Sequence, residues 1–274
     1  MCATACLLGI KRFWEHSQLW WSNLPGKPNQ YTQEDRKKMK RYMPFSLTAA
    51  AIFLLLALTV VPAWTDAFVV DSTADSGAGS LRQAILDSNG VTGPNTISFD
   101  IDPGPYTISP ASELPAITVP VTIDGYTQPG SSVNTAANTD NAVINIVIDG
   151  SLAGALANGL TLQASDCTIT GLQIWGFLGY DIKIDNDANT VAGCFLGTDG
   201  TNAAAAQGQT GVYVNTCADN VIGGTVLADR NVISGHTDDG VKIVGAGATG
   251  NQVLGNFIGI QDDGATALPN NQWG

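Results

Sequence analysis

Short β-branched runs punctuated by Gly, Asn and Asp, repeated strand-and-turn units, and the near loss of helical periodicity after about Phe68 predict an all-β fold. Together they point to a solenoid, a parallel β-helix with a short N-terminal capping helix. Parallel strands joined by a crossover connect with a right-handed turn, so the expected hand is right.

The repeats carry the prediction. Asn189-Thr-Val-Ala-Gly-Cys-Phe-Leu-Gly197 returns as Asn251-Gln-Val-Leu-Gly-Asn-Phe-Ile-Gly259, with five identities in nine positions. Asn220-Val-Ile-Gly-Gly224 matches Asn231-Val-Ile-Ser-Gly235, and Gly211-Val-Tyr-Val214 matches Gly240-Val-Lys-Ile243 in pattern. Looser copies are Val121-Thr-Ile-Asp-Gly125, Gly159-Leu-Thr-Leu162, Cys167-Thr-Ile-Thr170 and Asp181-Ile-Lys-Ile184. A unit this small cannot bury its apolar face alone, so successive units must stack. Alternation along a strand places Ile182, Ile184, Val241 and Ile243 inward and Lys183 and Lys242 outward, which gives an aliphatic inside and a polar outside. Gly193, Gly224, Gly235 and Gly255 fall at expected bends with little room for a Cβ. Asn189, Asn220, Asn231 and Asn251 suit left-handed backbone and hydrogen bonding along the stack. A propeller or sandwich would need hairpin turns between longer strands.

One helix is predicted. Ser80-Leu-Arg-Gln83 reads as a capping box, Leu81, Ala84 and Ile85 share a face, and Asn89-Gly90 stops the helix. Laid over the first coil, it would close the apolar interior.

Charge divides the chain. Eight of the twelve Lys and Arg precede Pro44, and the four beyond face 21 Asp and Glu, a net charge of −17 for residues 44–274. That excess repels polyphosphate and excludes nucleic acid as a partner. Residues 1–67 read as a leader: a basic stretch (Lys37, Lys38, Lys40, Arg41), an apolar run from Phe45 to Val61, then Ala63 and Ala67, with cleavage after Ala67. Such a leader engages the membrane and the export machinery, and the same run could instead serve as an uncleaved anchor. Residues 68–113 form a cap region with the first strands, and residues 114–274 the coils. Asn270-Asn-Gln-Trp-Gly274 ends where another rung is due, which predicts a truncated chain whose open last coil invites edge-to-edge association.

Phe68-Val-Val-Asp-Ser-Thr-Ala-Asp-Ser-Gly-Ala-Gly-Ser-Leu-Arg-Gln-Ala-Ile85 resembles the N-terminal cap segment, often called the CSLREA region, of bacterial and archaeal exported right-handed parallel β-helix repeat proteins. Ala78-Gly79 stand where that motif has its cysteine and Gln83 replaces its glutamate, so a role of the cysteine does not carry over. Ile97-Ser-Phe-Asp100, Leu114-Pro-Ala-Ile117 and the Asn-Val-Ile-Ser-Gly unit are similar to the same group. The resemblance implies a right-handed parallel β-helix in an exported protein and little about chemistry, since that fold hosts adhesins, passengers, lyases and hydrolases.

Gly235-His-Thr-Asp-Asp-Gly240 is the one constellation with catalytic residue types, making His236, Asp238 and Asp239 weak candidates. The competing reading, a solvated Asp-Gly turn, is preferred: neighbouring Asp side chains on a strand face opposite ways, and Lys242, the nearest cation, should point outward. Asp124, Asp149, Asp199 and Asp263 precede glycines and suit turns or calcium ligation, with turns the default because no calcium-loop spacing occurs. Cys167, Cys194 and Cys217 lack the paired spacing of a zinc site and read as small core residues. No metal or cofactor is expected. Tyr126, Trp175, Phe177, Tyr180 and Tyr213 could stack on sugar rings, although Trp175 to Tyr180 reads first as a loop packed on its own coil. The expectation is a secreted or cell-surface protein, structural or adhesive and without catalytic activity, with a carbohydrate or cell-surface ligand. A polysaccharide lyase, hydrolase or carbohydrate-binding module is the alternative.

Overall fold

The computed structural model describes residues 33–34, 65–104, 106–202 and 208–273. The leader's basic stretch and apolar run lie outside the described residues. Among the described residues no helix is long and apolar enough to cross a membrane.

The compact unit from Ala63 onward is mostly β, with strands numbered here along the chain. Sheet A joins β1 (Ala67–Val70), β2 (Asn95–Phe99), β4 (Val121–Asp124), β7 (Thr168–Thr170), β10 (Thr190–Ala192), β13 (Val221–Gly223) and β16 (Gln252–Leu254). Sheet B joins β3 (Thr107–Ile108), β5 (Val147–Asp149), β8 (Gln173–Trp175), β11 (Phe195–Leu196), β14 (Val232–Ile233) and β17 (Phe257–Ile258). Sheet C joins β6 (Leu160–Leu162), β9 (Tyr180–Ile184), β12 (Thr210–Asn215) and β15 (Val241–Val244). From β4 onward the chain visits A, B and C in strict rotation, and each strand pairs in parallel with its counterpart one circuit earlier. Antiparallel pairing among the described residues is confined to the bridges Ser132–Val143 and Ile260–Ala267.

Register explains the core. Ile97, Ile123, Ile169, Val191, Ile222 and Val253 stand in one line across sheet A. Ile108, Ile148, Ile174, Leu196, Ile233 and Ile258 do the same in sheet B, and Ile182 and Ile184 continue as Val212 and Val214 in sheet C. Burying one such side chain stabilises by about 2 kcal/mol, and stacking like on like repeats the same packing at each circuit. The lines end unburied. Ile243 is 38% exposed and Val253 39%; the inward side of β15 anticipated from alternation is therefore only half realised.

At the other end helix α1 (Leu81–Asn89) buries Leu81, Ala84, Ile85 and Ser88 against β1 and β2, closing that end of the core. The anticipated capping box forms by half. Ser80 Oγ accepts from Gln83 N at 3.2 Å, but the Gln83 side chain donates to Asp87, and Ser80 N donates instead to Gly77 O.

The corner asparagines act between circuits. Asn189 Oδ1 accepts from Cys167 N (2.9 Å), Asn220 Oδ1 from Asn189 N (2.8 Å) and Asn251 Oδ1 from Asn220 N (2.9 Å). Asn231 and Asn256 form a second such ladder through Cys194 N and Asn231 N. Along the first ladder the left-handed residue is not the asparagine but the one before it: Asp166 before Cys167, Ala188, Asp219 and Gly250 all have positive φ, whereas Arg230 before Asn231 is at −58°. The turn reverses there, which frees the next side chain to lie along the stack.

The outer surface also departs from a uniformly polar expectation. Phe195, Val232 and Phe257, in register on sheet B, form an apolar cluster with Ile144, Tyr126 and Ala142. Residues 129–145 cover it as a strap, held by Asn134 Nδ2 on Leu227 O and by Arg230, which donates to the carbonyls of Ala136, Ala137 and Thr139.

Candidate functional site

The polar residues that chemistry could use collect where sheet B passes to sheet C. At the residue just before the first inward side chain of each sheet C strand, register aligns Gly159, Asp181, Gly211 and Gly240. Three circuits place glycine there and one places a carboxylate. That departure from an otherwise glycine-led pattern is the sequence signal for Asp181, which the repeat alone marks only as the start of a rung.

His236 meets Asp181 from two circuits away. Its Nε2 lies 2.8 Å from Asp181 Oδ2, and both side chains are 0% exposed. The intervening circuit leaves room: a Cβ on Gly211 would stand 3.0 Å from His236 Cε1, and one on Gly197 would strike the imidazole and Ser234 O. On its other side Nδ1 lies 3.0 Å from Asn270 Oδ1. That oxygen also accepts from His236 N, while Asn270 Nδ2 donates to Ile233 O, so the amide orientation is fixed and Nδ1 must carry hydrogen. Burial pushes the Asp181 carboxyl above the usual carboxylate range, opposed by its hydrogen bond to His236. Asp181 Oδ1 has no hydrogen-bond partner among the described residues.

The Asp-Asp-Gly turn is not solvated throughout, as its sequence suggested. Asp239 is 2% exposed, with Oδ2 at 2.5 Å from Lys242 Nζ, and Asp238 lies 3.4 Å from the same ammonium. The Asp239 carboxylate holds Lys242 above its ordinary range. The segment 270–273 explains the burial, because Gly240 N donates to Trp273 O and Gln272 N to Asp238 O, which lays that segment along the turn. His236 therefore does not share a cleft with Asp238 and Asp239: it pairs inward with Asp181, and they pair outward with Lys242.

On the outer wall of sheet C, Tyr180 and Tyr213 stack with ring centroids 4.2 Å apart and planes within 6°. Tyr213 stands in register between Lys183 and Lys242, and Lys183 pairs with Asp185 at 2.7 Å. This gives a half-exposed strip of two aromatic rings with a lysine–carboxylate pair on each side. Of the other aromatics, Phe177 is buried against Gly150, Tyr126 bonds Gly193 O at 2.8 Å, and Trp175 is half-buried.

Asp124, Asp149, Asp199 and Asp263 each accept backbone N–H bonds from residues two or three positions on, which is turn chemistry. Among the described residues no three His, Cys, Asp or Glu side chains gather as metal ligands. Cys167, Cys194 and Cys217 are buried free thiols; burial pushes Cys167 to about 11 and Cys194 to about 12. The chain matches no protein-family model, and no curated protein matches it in sequence.

Proposed function

We propose that this chain is a right-handed parallel β-helix exported to the cell exterior, where it serves as a structural or adhesive solenoid without catalytic activity. The rotation through three parallel sheets supports the helix, and the general preference for right-handed parallel crossovers supports its hand. The observation that carries the functional reading is the sealing of the His236–Asp181 pair. The one histidine beyond the leader faces a carboxylate in full burial and bonds along the stack, where no substrate reaches it. The leader pattern supports export.

Purified protein assayed against acidic and neutral polysaccharides should release no product, and N-terminal sequencing of exported protein should begin near Phe68. Cleavage activity lost in Asp239→Asn or His236→Gln with the fold retained, or exported protein beginning at Met1, would overturn this reading. The stacked Tyr180 and Tyr213 between two lysine–carboxylate pairs favour a second reading, a carbohydrate-binding surface. Glycan retention in affinity electrophoresis that is lost in Tyr213→Ala would establish it.

A further inference from the structure

We propose that Asp181 and His236 form a one-proton latch that holds the corner between sheets B and C closed at mildly acidic pH and lets it open as the pH rises past neutrality. Nδ1 is committed as a donor to Asn270, so Nε2 and Asp181 Oδ2, 2.8 Å apart, have one proton to share. With that proton the pair is neutral overall. A second proton leaves an uncompensated imidazolium, and its loss leaves an uncompensated carboxylate, each in a place that water does not reach.

Among the described residues His236 is the only charged side chain that acts on the Asp181 carboxyl, and the neighbouring Gly197, Gly208 and Gly211 bring no side chain at all. Asp199 is tied to Thr201 and Asn202, Asp238 and Asp239 face Lys242, and Asp263 bonds Thr266. Ala203 to Gln207 contain no titratable residue.

In the unfolded chain Asp titrates near 3.9 and His near 6.5. Between about pH 4 and 6.5 the pair holds one proton whether the corner is closed or open, and its stability is flat with pH. Above that window opening releases a proton, so the opening equilibrium rises about tenfold per pH unit. Below about pH 4 opening takes up a second proton, and the equilibrium again rises with distance from the window. The alkaline limb is diagnostic, because the opening segments 234–240 and 268–273 contain no cysteine and His16 is the only other histidine in the chain.

The test is hydrogen exchange on the full chain, read as protection factors for residues 234–240 and 268–273 from pH 6.5 to 8.5. Wild type should lose about fiftyfold over those two units. Asp181→Asn can still donate to Nε2 and has no proton to lose, so its protection should stay flat. Equal slopes in the two proteins, or a flat wild type, would overturn the latch. A second measurement needs no variant: imidazole 15N signals of folded wild type should hold one protonation pattern from pH 5.5 to 7.5, and a free titration by His236 in that range would refute the proposal.

Discussion

Arg230 Nη1 donates to the carbonyl of Thr139 at 2.7 Å, joining positions 91 residues apart in the chain. The same guanidinium reaches Ala136 O, Ala137 O and Gly255 O, and its plane lies over the Phe257 ring at 4.2 Å. No carboxylate within ion-pair distance engages it among the described residues. It binds the strap through backbone carbonyls, for which the forked, multiply donating guanidinium is suited and an ammonium is not.

Arg230→Ala should therefore destabilise by about 3 kcal/mol, since it strands several carbonyls and unpacks Phe257. Arg230→Lys should recover little of this. Limited proteolysis should show earlier cutting within 129–145 in both variants; unchanged cutting would mean that the strap is held by its apolar contacts alone.

Asn220→Ala removes the acceptor for Asn189 N and the donor to Asn251 Oδ1, leaving a buried N–H unpaired. A loss of about 1–3 kcal/mol follows, measurable as a lower denaturation midpoint. Asn220→Asp keeps the acceptor but turns a carboxylate toward Asn251 Oδ1, so it should not rescue.

Gly211→Ala places a methyl 2.6 Å from Ile233 Cγ2, 2.7 Å from Gly240 O and 3.0 Å from His236 Cε1. Overpacking against a backbone oxygen costs about 1–3 kcal/mol. The characteristic outcome is a larger loss of exchange protection in 234–240 than in β4; uniform loss would argue that the glycine serves only the rung.

Arg82 lowers the Asp75 carboxyl through a 2.8 Å hydrogen bond, and it also binds Ser112 O and Glu113 O. A lowered carboxylate contributes stability above its unfolded value and loses it as pH falls through the folded one. Asp75→Asn should thus be less stable than wild type at pH 6 and nearly equal to it at pH 2.5. The difference should stay within about 1 kcal/mol because the pair is partly exposed. A gap of equal size at both pH values would assign the effect to packing.

Rungs, corners and the helix were legible because local pattern decides them: β-branched alternation, recurrent Asn and Gly, and a serine ahead of an amphipathic stretch. Asp181 was harder to read because its meaning lies in a comparison between circuits, one carboxylate in a line of glycines, and its partner is 55 residues away. The burial of Asp239 depends on residues 270–273 lying beside it, which no spacing within Gly235 to Gly240 reveals. The strap 129–145 has no periodicity of its own, and its anchor, Arg230, lies outside the repeated units.

In a stack where each layer touches only its neighbours, stability is a sum of local terms and unravelling can proceed one layer at a time. His236 departs from that rule by reaching past the circuit of Gly197 and Gly211 to Asp181, and the strap departs from it on the outer wall through Arg230 and Leu227. Under tension applied to its ends, such a stack should yield one circuit's length per rupture where only neighbours are joined, but the layers from Asp181 to His236 should give way together. The force record would then show a single extension covering several circuits at that point, a mechanical signature of contacts that skip a layer.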